Sequence, residues 1–248
     1  MLRRLLTALL LCAPLLAQAG CKRPLRVPFE DWRPYSFMAD GRHTGLETEL
    51  LAAVAREAGC EVQYVRDVPR DRRLPMLLAG ELDLLIAATP RPDAAWYTRP
   101  YREESLGVFM RAGEARAEVR TLDELLRARL RLVTHRGPAT VPIIQEFNAR
   151  HLLTWFEAYA QGVQLMQRRK GDVLLGDRVA IVFAARTADV PLVELPIVLV
   201  RDPVTYKLSP KSLTEADLQA FDEAIQRLEA HGELQRIRER WLGAAPSR

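Results

Sequence analysis

Apolar positions along the chain fall into two rhythms that alternate. The stretch Leu25-Arg-Val-Pro-Phe29 reads as a strand. Leu46, Leu50, Leu51, Val54 and Ala58 then keep helical spacing, with Gly59 closing the helix. Thr44-Gly-Leu-Glu47 ahead of them has the form of a capping box. A strand over 61–65 follows, then a helical turn or two over 74–78 stopped by Gly80. The near-continuous apolar run 82–88 suits a parallel sheet buried on both faces. The second half repeats the theme. Strands are expected over 106–110, 130–134, 153–158 and 173–175. Helices are expected from the capping box Thr121-Leu-Asp-Glu124, up to Phe147, over 162–169 and over 177–185. The polar stretch 114–120 reads as a boundary region. Ser212-Leu-Thr-Glu215 starts a helix carrying Leu218, Phe221, Ile225 and Leu228, and after Gly232 a last helix carries Leu234, Ile237 and Trp241. The pattern is that of open α/β sheets, in which ligands sit beyond the carboxyl ends of strands. Here that points to 89–91, to 137–140 and to Asp177.

The first nineteen residues stand apart from this pattern. Arg3 and Arg4, the apolar run 5–16 and the ending Ala17-Gln-Ala19 have the layout of a cleaved secretory leader. The apolar run is far shorter than the roughly 20 residues of a spanning helix. Removing 19 of 248 residues leaves about 229, enough for one large domain or two ordinary lobes. Of three cysteines, Cys12 would leave with the leader, and the remaining pair, Cys21 and Cys60, suggests a disulfide in an exported protein. The rival reading is a lipid anchor on Cys21, although Gln18 stands where a lipobox has an apolar residue.

Composition narrows the chemistry. The 48% hydrophobic and 27% charged fractions are those of a globular protein. The formal charge of +4 is spread without a basic stripe interleaved with aromatics, so nucleic acid is not an expected partner. His43, His135, His151 and His231 lie far apart without metal-ligand spacing, and no cofactor is expected. No nucleophile-elbow, zincin or phosphate-loop signature occurs.

Four ordered stretches resemble the periplasmic solute-binding proteins that capture polar amino acids for ABC importers, the family 3 type. Trp32-Arg-Pro-Tyr-Ser-Phe37 with Asp40-Gly41 and Gly45-Leu-Glu-Thr-Glu-Leu50 resembles the family's opening motif. Leu74 through Gly80-Glu-Leu-Asp83 and then Pro100-Tyr101 resemble its next two. Leu228 through Gly232-Glu-Leu234, Ile237 and Trp241-Leu-Gly243 resemble its C-terminal motif. A subgroup is similar also in its cysteines, one at the mature N-terminus and one after the first helix, as Cys21 and Cys60 stand here.

The resemblance implies an α/β clamshell of two lobes, each an open, mostly parallel sheet flanked by helices. Lobe one would be 22–104 plus 202–248 and lobe two 105–201, with two crossing strands as the hinge. Trp32, with Tyr35, would stack on the ligand, Asp177 would take its ammonium, and Arg91 after Thr89-Pro90 would take its carboxylate as a planar, bidentate donor. The family's T-P-E-R is Thr89-Pro-Arg-Pro92 here, and the loop on to Tyr101 is shorter. Backbone N–H groups near Thr140, at a helix start, would add to the anion site. Arg70 falls near a cleft-facing position. The expected ligand is a small zwitterion, an amino acid or a relative, and the expected partner of a monomeric protein is an importer's permease. Two alternatives share the fold: a dehydratase-like enzyme with Glu30, Asp31 or Glu103 as general acid, and a ligand-responsive signalling partner without transport.

Overall fold

The computed structural model describes residues 20–115, 118–135, 142–197, 199 and 201–242. Strand β1 (Leu25–Pro28) pairs in parallel with β4 (Val62–Val65). The hairpin β2 (Phe37–Ala39) and β3 (Arg42–Thr44) and helix α1 (Leu46–Glu57) lie between them in sequence. Helix α2 (Arg70–Ala79) leads through the left-handed Gly80 to β5 (Leu84–Ala88) and the short β6 (Trp96–Tyr97). The long β7 (Arg102–Arg111) follows. Next come α3 (Leu122–Arg127), β8 (Leu132–His135), α4 (Ile144–Ala149), β9 (Leu153–Phe156), α5 (Tyr159–Gln167), β10 (Val173–Asp177), α6 (Arg178–Thr187) and β11 (Leu192–Glu194). Strand β12 (Arg201–Leu208) and helices α7 (Glu215–Ala230) and α8 (Glu233–Leu242) complete the order.

Two long antiparallel strands tie the halves together. The main sheet runs β5-β12-β7-β10-β8-β9, with β6 added to β12 and β11 to β7. Strands β8, β9 and β10 are mutually parallel and flanked by antiparallel β7. The β7–β12 ribbon pairs Arg102 with Val204, Glu103 with Pro203, Glu104 with Asp202 and Ser105 with Arg201. The fold is α/β and two-lobed. One core packs β1, α1, α7 and α8 around Leu50, Val54, Phe221 and Ile225. Two further cores, around Phe147 and Val173 and around Phe156 and Ile181, gather the β8–β10 sheet and its helices.

Local chemistry departs from the sequence pattern at three helix starts. The Thr44–Glu47 capping box does not form; the N-cap of α1 is Gly45, at φ +119°. A Cβ there would lie 2.4 Å from the Tyr35 carbonyl oxygen, so this close approach requires glycine. Carbonyls of Pro34 and Tyr35 receive the N–H groups of Leu46, Glu47 and Thr48, so the helix end is satisfied without a side-chain cap. Glu47 is thereby free to turn inward. Helix α7 is capped by Thr214 with Asp217, two residues beyond the expected start, because the Ser212 hydroxyl donates to Asp83. Helix α2 begins four residues before Leu74; its first turn is polar and leaves no mark in the apolar rhythm. The box at Thr121–Glu124 forms as expected.

The disulfide Cys21–Cys60 is present, with a Cα–Cα distance of 4.8 Å. It joins the residues just ahead of β1 and β4, neighbours in one sheet. Asp83, wholly buried, accepts from Arg23, from Arg26 and from Ser212, and these hydrogen bonds hold its carboxyl well below the usual range against the opposing effect of burial. This is a structural role, tying the start of β1 to the segment before α7.

Candidate functional site

The turn after β1 and the end of β10 meet beside the crossing strands. Trp32 and Tyr35 belong to a tight turn in which the Tyr35 and Ser36 N–H groups donate to the Trp32 carbonyl. Their rings stack, with centroids 4.3 Å apart. Tyr35 is buried, and its hydroxyl donates to Asp177 Oδ2 at 2.5 Å. Asp177 ends β10 and caps α6, its Oδ1 accepting the Ala180 N–H at 2.7 Å. Its own N–H donates to the Tyr159 hydroxyl oxygen at 2.9 Å. Gly176 lets that ring lie against the strand, since a Cβ would come 2.8 Å from the Tyr159 ring. Burial pushes the Asp177 carboxyl up, and the hydrogen bonds from Tyr35 and Ala180 only partly offset this. Trp32, Tyr35 and Asp177 are thus brought into one cluster.

Beneath Tyr35 lies a buried charge network that sequence reasoning missed. The Arg102 side chain is 2% exposed and its Nε donates to Glu47 Oε1 at 2.5 Å. Its guanidinium carbon lies 5.2 Å from the Tyr35 ring centroid, a cation–π arrangement. Tyr101 donates to the other Glu47 oxygen, and its hydroxyl oxygen accepts the Ala87 N–H. Glu47 and Tyr101 stand inside motifs quoted above, but only as pattern members. The visible signal was Arg102-Glu-Glu104 heading an otherwise apolar strand.

Other expected residues lie elsewhere. Thr89 and Arg91 are exposed on the loop after β5, where the Arg91 carbonyl accepts the Asp93 N–H. The ion pair of that loop is Asp93 with Lys207, at 2.9 Å. Arg70, the first residue of α2, pairs with Glu30 at 2.7 Å, and Arg73 pairs with the same carboxylate at 2.5 Å. Although burial opposes it, hydrogen bonds from these two arginines lower the Glu30 carboxyl. Thr140 lies outside the described residues. Among the described residues no group of three or more His, Cys, Asp or Glu side chains could hold a metal ion.

With this geometry the relatives can be compared. The family model described as bacterial extracellular solute-binding proteins, family 3, matches residues 25–244. The chain belongs to this family. Of curated proteins, a probable histidine-binding protein of Campylobacter jejuni is 28% identical over 75 residues, and the match covers 29% of each chain. Two solved structures share the family fold. The second substrate-binding domain of Lactococcus lactis GlnP, in its open conformation, superposes with a TM-score of 0.73 at 16% identity, covering 92% of this chain and 99% of that one. The L-cystine solute receptor of Neisseria gonorrhoeae, unliganded and open, gives 0.72 at 18% identity, covering 91% and 95%. At such identities the likeness speaks for the two-lobed family 3 fold, not for the ligand.

Proposed function

We propose that this family 3 protein is an exported receptor that captures a small zwitterion, an amino acid or a close relative, between its lobes and hands it to the permease of an ABC importer. Asp177 carries the reading. A carboxylate held at a strand end, half-buried and pushed toward its neutral form, is costly to an empty protein; an incoming ammonium relieves that cost. Trp32 and Tyr35 supply an aromatic wall beside it. The lobes are taken as 22–104 plus 202–248 and 105–201, hinged at the β7–β12 ribbon. The disulfide fits an oxidising compartment such as the periplasm, reached through a leader cleaved after Ala19. Glu30 is a poor general acid, since two arginines favour its ionised form, and this weighs against a dehydratase. Differential scanning fluorimetry over a panel of L-amino acids tests the proposal. At least one should raise the melting temperature of the parent and fail to raise that of Asp177→Ala. A panel that leaves the parent unmoved, or that stabilises both alike, rejects it.

A further inference from the structure

Helix α6 belongs to lobe two by chain order, yet one of its faces is seated in lobe one. Val179 is buried in the core built from β1, α1, α7 and α8. Phe183, four residues on, shares that face of the helix. Its ring lies against two rings of lobe one, with centroids 6.3 Å from Phe37 and 6.2 Å from Trp241. Phe37 and Trp241 meet each other edge to face at 6.0 Å, so each of the three rings touches the other two. These partners come from β2 and α8, far apart in sequence, and α8 packs against α6. Among the described residues the buried Trp241 Nε1 has no hydrogen-bond partner, so packing holds this ring in place. At the start of the same helix, the Tyr35 hydroxyl of lobe one donates to Asp177 of lobe two at 2.5 Å. The hydrogen bond, the buried valine and the aromatic trio are three contacts of one helix with the opposite lobe. None of them belongs to the β7–β12 ribbon.

We infer that α6 is a latch: in the ligand-free protein it docks on lobe one and fixes an angle between the lobes that the ribbon by itself leaves free. Interfaces between parts of one chain are commonly polar and permit relative motion. An apolar seat works differently, because packed side chains have discrete arrangements and do not deform continuously. Asp177 ends β10 and caps α6, so strand and helix move as one body. A change of lobe angle about the ribbon therefore moves Phe183 across the Phe37 and Trp241 rings and takes the Tyr35 hydroxyl off Asp177. The inference rests on the lobes and hinge of the proposal above, and not on what the ligand is.

Single-molecule energy transfer on the ligand-free, oxidised protein tests this, with dyes on Asp71→Cys in lobe one and Gln145→Cys in lobe two, both exposed positions. The parent should show one narrow population. Phe183→Ala, a truncation at a half-buried position, should raise the fraction outside that population about 10-fold. Tyr35→Phe removes one hydroxyl, keeps the ring and should raise it about 5-fold. If Phe183→Ala loses the far-UV circular dichroism of the parent, Tyr35→Phe decides alone. A parent distribution that is already broad, or one that neither variant changes, overturns the latch. Both of those results leave the zwitterion proposal standing, since no ligand is present; the fluorimetry panel decides that proposal separately.

Discussion

Removing Glu47 should be the most damaging single change at the centre of the molecule. Its side chain is fully buried and that of Arg102 is 2% exposed. Glu47→Leu fills similar volume but strands the guanidinium, whose remaining carboxylate, Glu104, is 3.6 Å away and 42% exposed. Breaking a buried pair from one side costs about 3–5 kcal/mol. The Tyr101 hydroxyl also loses its acceptor, which costs about 1 kcal/mol more. With a urea m-value of roughly 2–3 kcal/mol/M, a combined loss of about 5 kcal/mol lowers the unfolding midpoint by about 1.7–2.5 M. The double variant Glu47→Leu/Arg102→Met removes both charges and should return to within about 2 kcal/mol of the parent. Urea titrations followed by tryptophan fluorescence and far-UV circular dichroism measure both. A single variant within about 1 kcal/mol of the parent, or a double variant as unstable as the single, refutes the claim that pairing holds Arg102 in the core.

Four further outcomes are expected. Reducing the Cys21–Cys60 disulfide, whose partners are 39 residues apart, should cost about 4 kcal/mol by the loop-entropy argument, read as a melting temperature with and without reductant. Asp83 is held below its usual range, so its contribution is present above the unfolded carboxyl pKa of about 4 and is lost as pH falls below that. Asp83→Asn should therefore destabilise most at pH 7 and by a smaller but still substantial amount at pH 3, because the folded carboxyl stays ionised well below pH 4, measured by urea unfolding at both. Asp177 is raised, so the opposite sign holds: its burden grows as pH rises through the folded pKa. Asp177→Asn should melt higher than the unliganded parent at pH 7, with the difference shrinking at pH 4. Ligand at saturation should reduce the radius of gyration in small-angle scattering; no change contradicts closure about the β7–β12 ribbon.

The apolar rhythm made most of the fold legible. Helices α1, α7 and α8 carry one apolar stripe each, and periodicity located them within a few residues. Strand β12 was harder to read. Its Asp202-Pro-Val-Thr-Tyr-Lys207 neither alternates cleanly nor runs apolar, because it is central to the sheet and its polar residues find partners there, Thr205 on the Ala88 carbonyl and Lys207 on Asp93. The α1 cap failed for a related reason. A capping box is a local pattern, and two carbonyls from a loop ten residues earlier, together with a buried arginine, outweighed it.

The candidate site divides along the same line. Asp177 and Trp32 could be named because each sits at a landmark that sequence shows, a strand end before a helix and a turn after a strand. Arg102 could not, since its burial depends on Glu47 from α1, Tyr35 from the first turn and the register of β7 against β12, all distant in sequence. Arg91 was singled out by motif position, yet its loop is exposed and the ion pair there belongs to Asp93 and Lys207. A guanidinium becomes selective for a carboxylate when water is excluded around it, which an exposed loop arginine lacks in the unliganded chain. Arg102 has that dry environment, and there Glu47 holds its charge.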